Sequence, residues 1–212
     1  MKFDWLYFTA ALVLLLPPIT LRGATKTFSL SRRHYPVSIP AMLTVWQNWV
    51  DLLRAGIGTY LLAHRSILTE SGAAKSDARA LMLIAGVAGL GLVFQTVRFS
   101  RGIQLVAPVF YLSGTTIVFS DFATGGFAVF AGWMFAMGAG KIVYQIPITV
   151  VALGIAGYLI VGPNLALILG CLLAGLPLFV AFLLRLPLLF VTKDPIPKPV
   201  ANPPVASRTT ST

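Results

Sequence analysis

The sequence predicts an all-α, polytopic integral membrane bundle of six or seven transmembrane helices. Of its 212 residues, 57% are hydrophobic and only 10% are charged, whereas soluble domains carry about 25% charged residues. The apolar residues come in runs of roughly 20, the length that crosses the hydrocarbon core of a bilayer. The chain is therefore divided into membrane spans rather than into soluble domains.

Seven apolar segments form the predicted bundle, which covers residues 1–191. The first ends at Pro17-Pro18 and resembles a signal peptide in outline, but it lacks a small-x-small cleavage site, so we interpret it as a retained, short span. If it does not cross, six spans remain. The seventh contains Pro177 and Pro187 and is long enough that it must tilt, kink or protrude. The expected spans are residues 5–21, 41–64, 80–97, 103–120, 127–141, 146–161 and 165–191.

The distribution of Lys and Arg predicts the orientation. With seven spans and the amino terminus outside, eleven of these residues fall in cytoplasmic segments and four fall outside, as the positive-inside rule requires. We therefore expect a bacterial cytoplasmic (inner) membrane protein whose proline-rich tail, residues 192–212, lies in the cytoplasm. The net charge of +10 comes from connectors and tail, with no sustained basic helix, so nucleic acid is not an expected partner. The cytoplasmic set is Arg22, Lys26, Arg32, Arg33, Arg98, Arg101, Lys141, Arg185, Lys193, Lys198 and Arg208.

The second span carries the polar side chains that distinguish it from the others. Steps of three or four residues place Gln47 or Asn48, then Asp51 and Arg54, on one helical stripe. A lone charge near the bilayer centre costs ~2.5–3.5 kcal/mol, so Asp51 and Arg54 are expected to pair. Three interpretations stay open: a pair that orients its own helix, a contact with a partner subunit, or a path for protons or ions.

Two further positions have weaker functional interpretations. His64, at the end of the second span, could ligate a pigment or haem held with other subunits, although a histidine at a membrane edge more often binds headgroups or loops. Arg185, near the inner end of the last span, is expected to extend toward anionic lipid headgroups. The single Cys171 excludes an intramolecular disulfide.

Small residues recur at helical spacing in three of the spans. Such positions allow helix backbones to approach closely. They serve either the packing of this bundle or the contacts of a homo-oligomer, and the spacing does not separate the two. The predicted packing positions are Gly89, Gly132, Ala136, Gly140, Gly170 and Ala174.

The sequence contains no pattern typical of an enzyme. Ser113-Gly114 resembles a membrane serine-protease turn only faintly, and no histidine follows it to act as a base. Phosphate-binding glycine loops, paired carboxylates and clustered metal ligands are also absent, so no cofactor or metal is indicated.

These observations predict a non-catalytic integral membrane subunit that scaffolds or helps to assemble a larger membrane protein complex. Its expected partners are the lipid bilayer and other membrane subunits, and a homo-oligomer is an open alternative. The alternative function is a small channel or transporter for an ion or solute, with Asp51 and Arg54 lining the path.

Overall fold

A computed structural model describes residues 2–16, 39–44, 46–68, 77–99 and 103–189, and these residues are mostly helical. The described part of the chain contains eight α-helices, which confirms the helical class. They are α1 (Trp5–Leu15), α2 (Ile39–Thr44), α3 (Trp46–His64), α4 (Ala78–Thr96), α5 (Val109–Ser120), α6 (Phe122–Gly138), α7 (Gln145–Ile160) and α8 (Leu165–Leu184). A 3₁₀ turn, Ile142–Tyr144, leads directly into α7.

Three helical segments are long and apolar enough to cross a membrane: Ala78–Thr96, Ile142–Ile160 and Leu165–Leu184. Helices α1, α5 and α6 are apolar but shorter. The eleven residues of α1 extend over about 16 Å, roughly half the thickness of a hydrocarbon core. The count of six or seven crossing helices therefore stays a prediction.

Three of the expected spans have different bounds in the structure. Residues 103–120 begin with a strand, and helix α5 starts only at Val109, because Pro108 lacks an N–H and disfavours a helical residue before it. Helix α6 starts at Phe122 rather than near residue 127, since Asp121 alone forms the turn. Helix α8 ends at Leu184 rather than at residue 191, because Arg185 adopts a left-handed conformation with φ of 51°.

The remaining spans agree more closely with the expected bounds. Helices α4 and α7 begin and end within two residues of the predicted limits. The expected span 41–64 corresponds to α2 and α3. Residues 17–21 of the first predicted span, and the tail from 192 onward, lie outside the described residues.

Five short strands form two small sheets at the ends of helices, a feature that an all-α description did not include. Strand β1 (Lys2–Phe3) pairs antiparallel with β2 (Ile67–Leu68), with Phe3 opposite Ile67. Strand β3 (Val97–Phe99) pairs antiparallel with β4 (Ile103–Val106), and β4 pairs parallel with β5 (Leu188–Leu189). The first sheet therefore holds the start of α1 beside the end of α3. The second gathers the end of α4, the start of α5 and the end of α8.

The two sheets lie at opposite ends of the bundle, because α3 and α5 run parallel. Near their starts, the rings of Trp49 and Phe110 are 5.8 Å apart. Further along, Gly56 lies against Gly114 and Val118. Since β2 follows α3 and β4 precedes α5, we call these the β1–β2 end and the β3–β5 end.

The core lies where α1, α3, α4 and α5 meet, and the outside of the bundle is apolar as well. Fully buried side chains include Leu15, Leu62, Ile84, Leu92 and Tyr111. Large apolar side chains also point outward along the helices, an arrangement suited to lipid or protein neighbours rather than to water. Examples of these exposed residues are Leu90, Phe130, Ile155, Leu172 and Phe182.

Five of the six predicted packing positions lie at helix contacts within the chain. A Cβ at Gly132 would lie 2.8 Å from the Gln145 carbonyl oxygen, and one at Gly170 would lie 2.7 Å from Ser120 Oγ. A Cβ at Gly89 would make an ordinary 3.4 Å contact with Leu173. The two alanines, Ala136 and Ala174, are fully buried.

Gly140 is the exception, because it makes no helix contact within the described part of the chain. It follows the end of α6 with φ of 63°, and a Cβ there would meet no atom within 4 Å. This glycine supplies a left-handed turn after the helix, a conformation that side chains with a Cβ disfavour.

Candidate functional site

Helix α1 ends inside the bundle instead of at its surface. Leu15 is fully buried, and a Cβ at Gly58, in the middle of α3, would lie only 2.9 Å from its Cγ. The helix stops because Leu16 is extended, with ψ of 139°, before Pro17. A helix end leaves its last carbonyl groups without helical partners, and a buried end needs other donors.

Two side chains supply those donors. The Tyr111 hydroxyl, from α5, donates to the Leu15 carbonyl oxygen at 2.9 Å. Arg54 Nη1, from α3, donates to the Leu16 carbonyl oxygen at 2.9 Å. The positive guanidinium also lies at the negative end of the α1 dipole, which is a favourable placement.

Arg54 forms the predicted ion pair in addition to this carbonyl contact. Its Nη2 lies 3.0 Å from Asp51 Oδ1, with side chains 9% and 39% exposed respectively. The guanidinium carbon lies 5.7 Å from the centre of the Tyr111 ring, within the range of a cation–π contact. We call Asp51, Arg54, Tyr111 and the carbonyls of Leu15 and Leu16 the Arg54 cluster, which connects α1, α3 and α5.

A glycine of α4 leaves room for this cluster. A Cβ at Gly91 would lie 2.6 Å from the Tyr111 hydroxyl oxygen and 3.1 Å from the Leu15 carbonyl oxygen. Neither Gly91 nor Tyr111 was among the predicted site residues. The available signal was Tyr111 itself, since a tyrosine hydroxyl inside an apolar run usually has a hydrogen-bond partner.

The other polar residues of α3 bind the end of α2. Asn48 Nδ2 donates to the Met42 carbonyl oxygen at 2.8 Å, and Trp49 Nε1 donates to the Leu43 carbonyl oxygen at 2.8 Å. The side chain of Gln47 lies outside the described part of the structure. Asn48, Trp49 and Arg54 therefore each donate to a backbone carbonyl of the same chain.

The weaker candidates lie at the two ends of the bundle. His64 is exposed at the β1–β2 end and stacks on Tyr60 with ring centres 4.7 Å apart. Arg185 is exposed at the β3–β5 end, directly after α8. Among the described residues, no group of three or more His, Cys, Asp or Glu side chains could hold a metal ion.

These features define a class of structure: a helical bundle with an apolar exterior in which, among the described residues, one buried cation, Arg54, holds a helix end in place. Protein-family models, curated proteins and solved structures give no match to this chain. Its function is therefore inferred from its own residues and contacts.

Replacing Tyr111 by Phe is expected to lower the free energy of unfolding by about 1–2 kcal/mol. The change removes only the hydroxyl, so the buried Leu15 carbonyl loses its donor. Denaturant unfolding of the purified protein measures the effect. Tyr158→Phe is the matched control, because Tyr158 is 61% exposed, and equal losses in both variants would contradict the role assigned to the Tyr111 hydroxyl.

Proposed function

We propose that this chain is a non-catalytic integral membrane subunit that scaffolds or helps to assemble a larger membrane protein complex. The main support is that the polar side chains of α3 bind other helices of the same chain. Asn48, Trp49 and Arg54 donate to backbone carbonyls of α1 and α2, contacts that fix helices relative to one another. Hydrogen bonds of this kind stabilise a framework for other subunits.

The proposed membrane orientation has six crossing segments, formed by α3, α4, β4 together with α5, α6, α7 and α8, while α1 reaches about halfway. Successive helices from α3 to α8 run in alternate directions between the β1–β2 end and the β3–β5 end, which supports this orientation. The connectors at the β3–β5 end contain Arg98, Lys141 and Arg185 and, within the described ranges, no acidic residue. We assign this end to the cytoplasm of a bacterial inner membrane, with β1 and the amino terminus outside.

Asp51 is the proposed contact with another subunit. Its side chain is 39% exposed although it pairs with Arg54, and hydrocarbon is a poor environment for a partly exposed carboxylate. The neighbouring exposed residues, Trp49, Val50 and Leu53, give the same face of α3 a large apolar area. A helix of another subunit with a hydrogen-bond donor level with Asp51 would cover both the carboxylate and this apolar face.

Extraction of the tagged protein from its native membranes in mild detergent tests this proposal. We expect the chain to co-purify with other membrane proteins, and Asp51→Asn to weaken that association about tenfold through loss of a charged hydrogen bond. Asp121→Asn is the control, because Asp121 is exposed and its side chain makes no capping bond to α6. A lone monomer in mild detergent would contradict the subunit proposal.

The second candidate is a small ion or solute channel or transporter. The same partial exposure of Asp51, beside a buried Arg54, favours it, because a water-filled path would hydrate an exposed carboxylate. Flux through vesicles containing the purified chain separates the two functions. In a transporter, Asp51→Asn abolishes flux while assembly persists; in a scaffold, assembly weakens and no flux is present to lose.

A further inference from the structure

A small cavity lies at the β1–β2 end of the bundle, where four helices meet. Its volume is about 10 Å³. Helix α5 ends at the cavity and α6 begins beside it, while the end of α7 and the N-cap of α8 complete the wall. The lining residues are Ser120, Thr124, Gly157, Val161, Asn164 and Leu167.

Two of these residues have buried hydroxyl groups without a hydrogen-bond partner in the described structure, Ser120 and Thr124. Thr124 is only 2% exposed. Four other buried hydroxyls donate to the carbonyl four residues earlier, at 2.7–2.8 Å, whereas the buried Thr59 hydroxyl in α3 has no partner in the described structure either. The four residues with such a bond are Ser66, Thr96, Ser113 and Thr115.

The packing around the cavity keeps its volume small. Gly170 of α8 lies against Ser120, since a Cβ there would be 2.7 Å from the hydroxyl oxygen. Gly157 of α7 lies against the side chain of Leu167. These close contacts exclude a lipid chain or an organic solute from the space between the two hairpins, α5–α6 and α7–α8.

We propose that one ordered water molecule occupies this cavity and bonds to both Ser120 and Thr124. One water molecule requires a cavity of about 10–15 Å³, together with two to four polar partners. Water can donate to one hydroxyl and accept from the other, so a single molecule satisfies both groups, each of which would be unfavourable if buried dry. The water thereby becomes a fixed part of the junction between the two hairpins.

A double-mutant cycle on the full chain in detergent tests for the water. If one water bridges the two hydroxyls, Ser120→Ala and Thr124→Val each lower Tm by about 2–4 °C, and the double variant loses little more than either single variant. Thr124→Ser keeps the hydroxyl and should retain most of the Tm. Thr115→Val is the control for a buried hydroxyl that already bonds to its own helix.

Other outcomes would overturn the proposal. In a dry cavity, removing an unsatisfied hydroxyl leaves Tm unchanged or raises it, and the two changes add. If Tm falls when sodium in the buffer is replaced by a bulky organic cation, the cavity holds a metal ion instead of water. In an experimental density map, the expected feature is a peak within hydrogen-bond distance of Ser120 Oγ and Thr124 Oγ1, and an empty cavity would refute the assignment.

Discussion

Arg54→Met is expected to lower the free energy of unfolding by about 3 kcal/mol, the largest effect we predict for a single side chain. The substitution removes the donor to the Leu16 carbonyl and takes the Arg54 guanidinium away from Asp51. Breaking a fully buried pair by removing one partner costs ~3–5 kcal/mol, and the partial exposure of Asp51 places the expected value at the lower end. Unfolding in mixed micelles with increasing SDS measures it.

Three further variants separate the contributions of the individual Arg54 contacts to the free energy of unfolding. Asp51→Asn combined with Arg54→Met should recover part of the stability, because no carboxylate charge then remains beside the missing guanidinium. Arg54→Lys should lie between wild type and Arg54→Met, since one ammonium group cannot reproduce a guanidinium fork that reaches two acceptors. Arg79→Met, at an exposed position of α4, should change stability by less than about 0.5 kcal/mol. An equal loss in Arg79→Met and Arg54→Met would contradict the assigned role of Arg54.

Gly114→Ala is expected to destabilise the bundle by about 2–3 kcal/mol, although it adds a single methyl group. The new Cβ would overlap the Leu52 carbonyl oxygen and lie 3.0 Å from the Gly56 nitrogen. Both are backbone atoms, so no side-chain rotation relieves the contact, and α3 and α5 must separate. The same unfolding assay measures the loss, and the change should also weaken the ring contact between Trp49 and Phe110.

Gly126→Ala is the matched control for this variant. Gly126 also lies inside a helix, and a Cβ there would meet no atom within 4 Å. Alanine favours helix more than glycine does, so this substitution should stabilise the protein by about 0.5–1 kcal/mol. Opposite signs for the two substitutions are the expected result, and a similar loss in both would show that the Gly114 contact is not responsible.

Features that depend on neighbours along the chain were predictable from the sequence. The apolar composition and run lengths predicted a mostly helical chain, because helix periodicity and length are local properties. The pairing of Asp51 with Arg54 was predictable for the same reason, since residues three apart share a helix face. Pro17-Pro18 likewise marked the region where the first helix ends.

Helix limits were less predictable where an apolar run continues past the end of a helix. Strand β4 precedes α5, and strand β5 follows α8. Both strands lie in apolar runs that the sequence assigns to membrane spans, so each predicted span is at least five residues longer than the helix it contains. A short apolar run has no periodicity that separates strand from helix. Such a run becomes a strand when another strand is available to pair with it, as Leu188 pairs with Leu105.

The tertiary structure alone decided which partners the polar groups and glycines find. Arg54 reaches a carbonyl 38 residues away, and Tyr111 reaches one 96 residues away. The same holds for glycine: Gly140 and Gly132 follow one spacing pattern, yet one supplies a turn and the other a helix contact. The composition of this chain thus determined its helical class, while the contacts of the Arg54 cluster arose only when distant segments packed, because hydrogen bonding and close packing depend on distance in space rather than along the sequence.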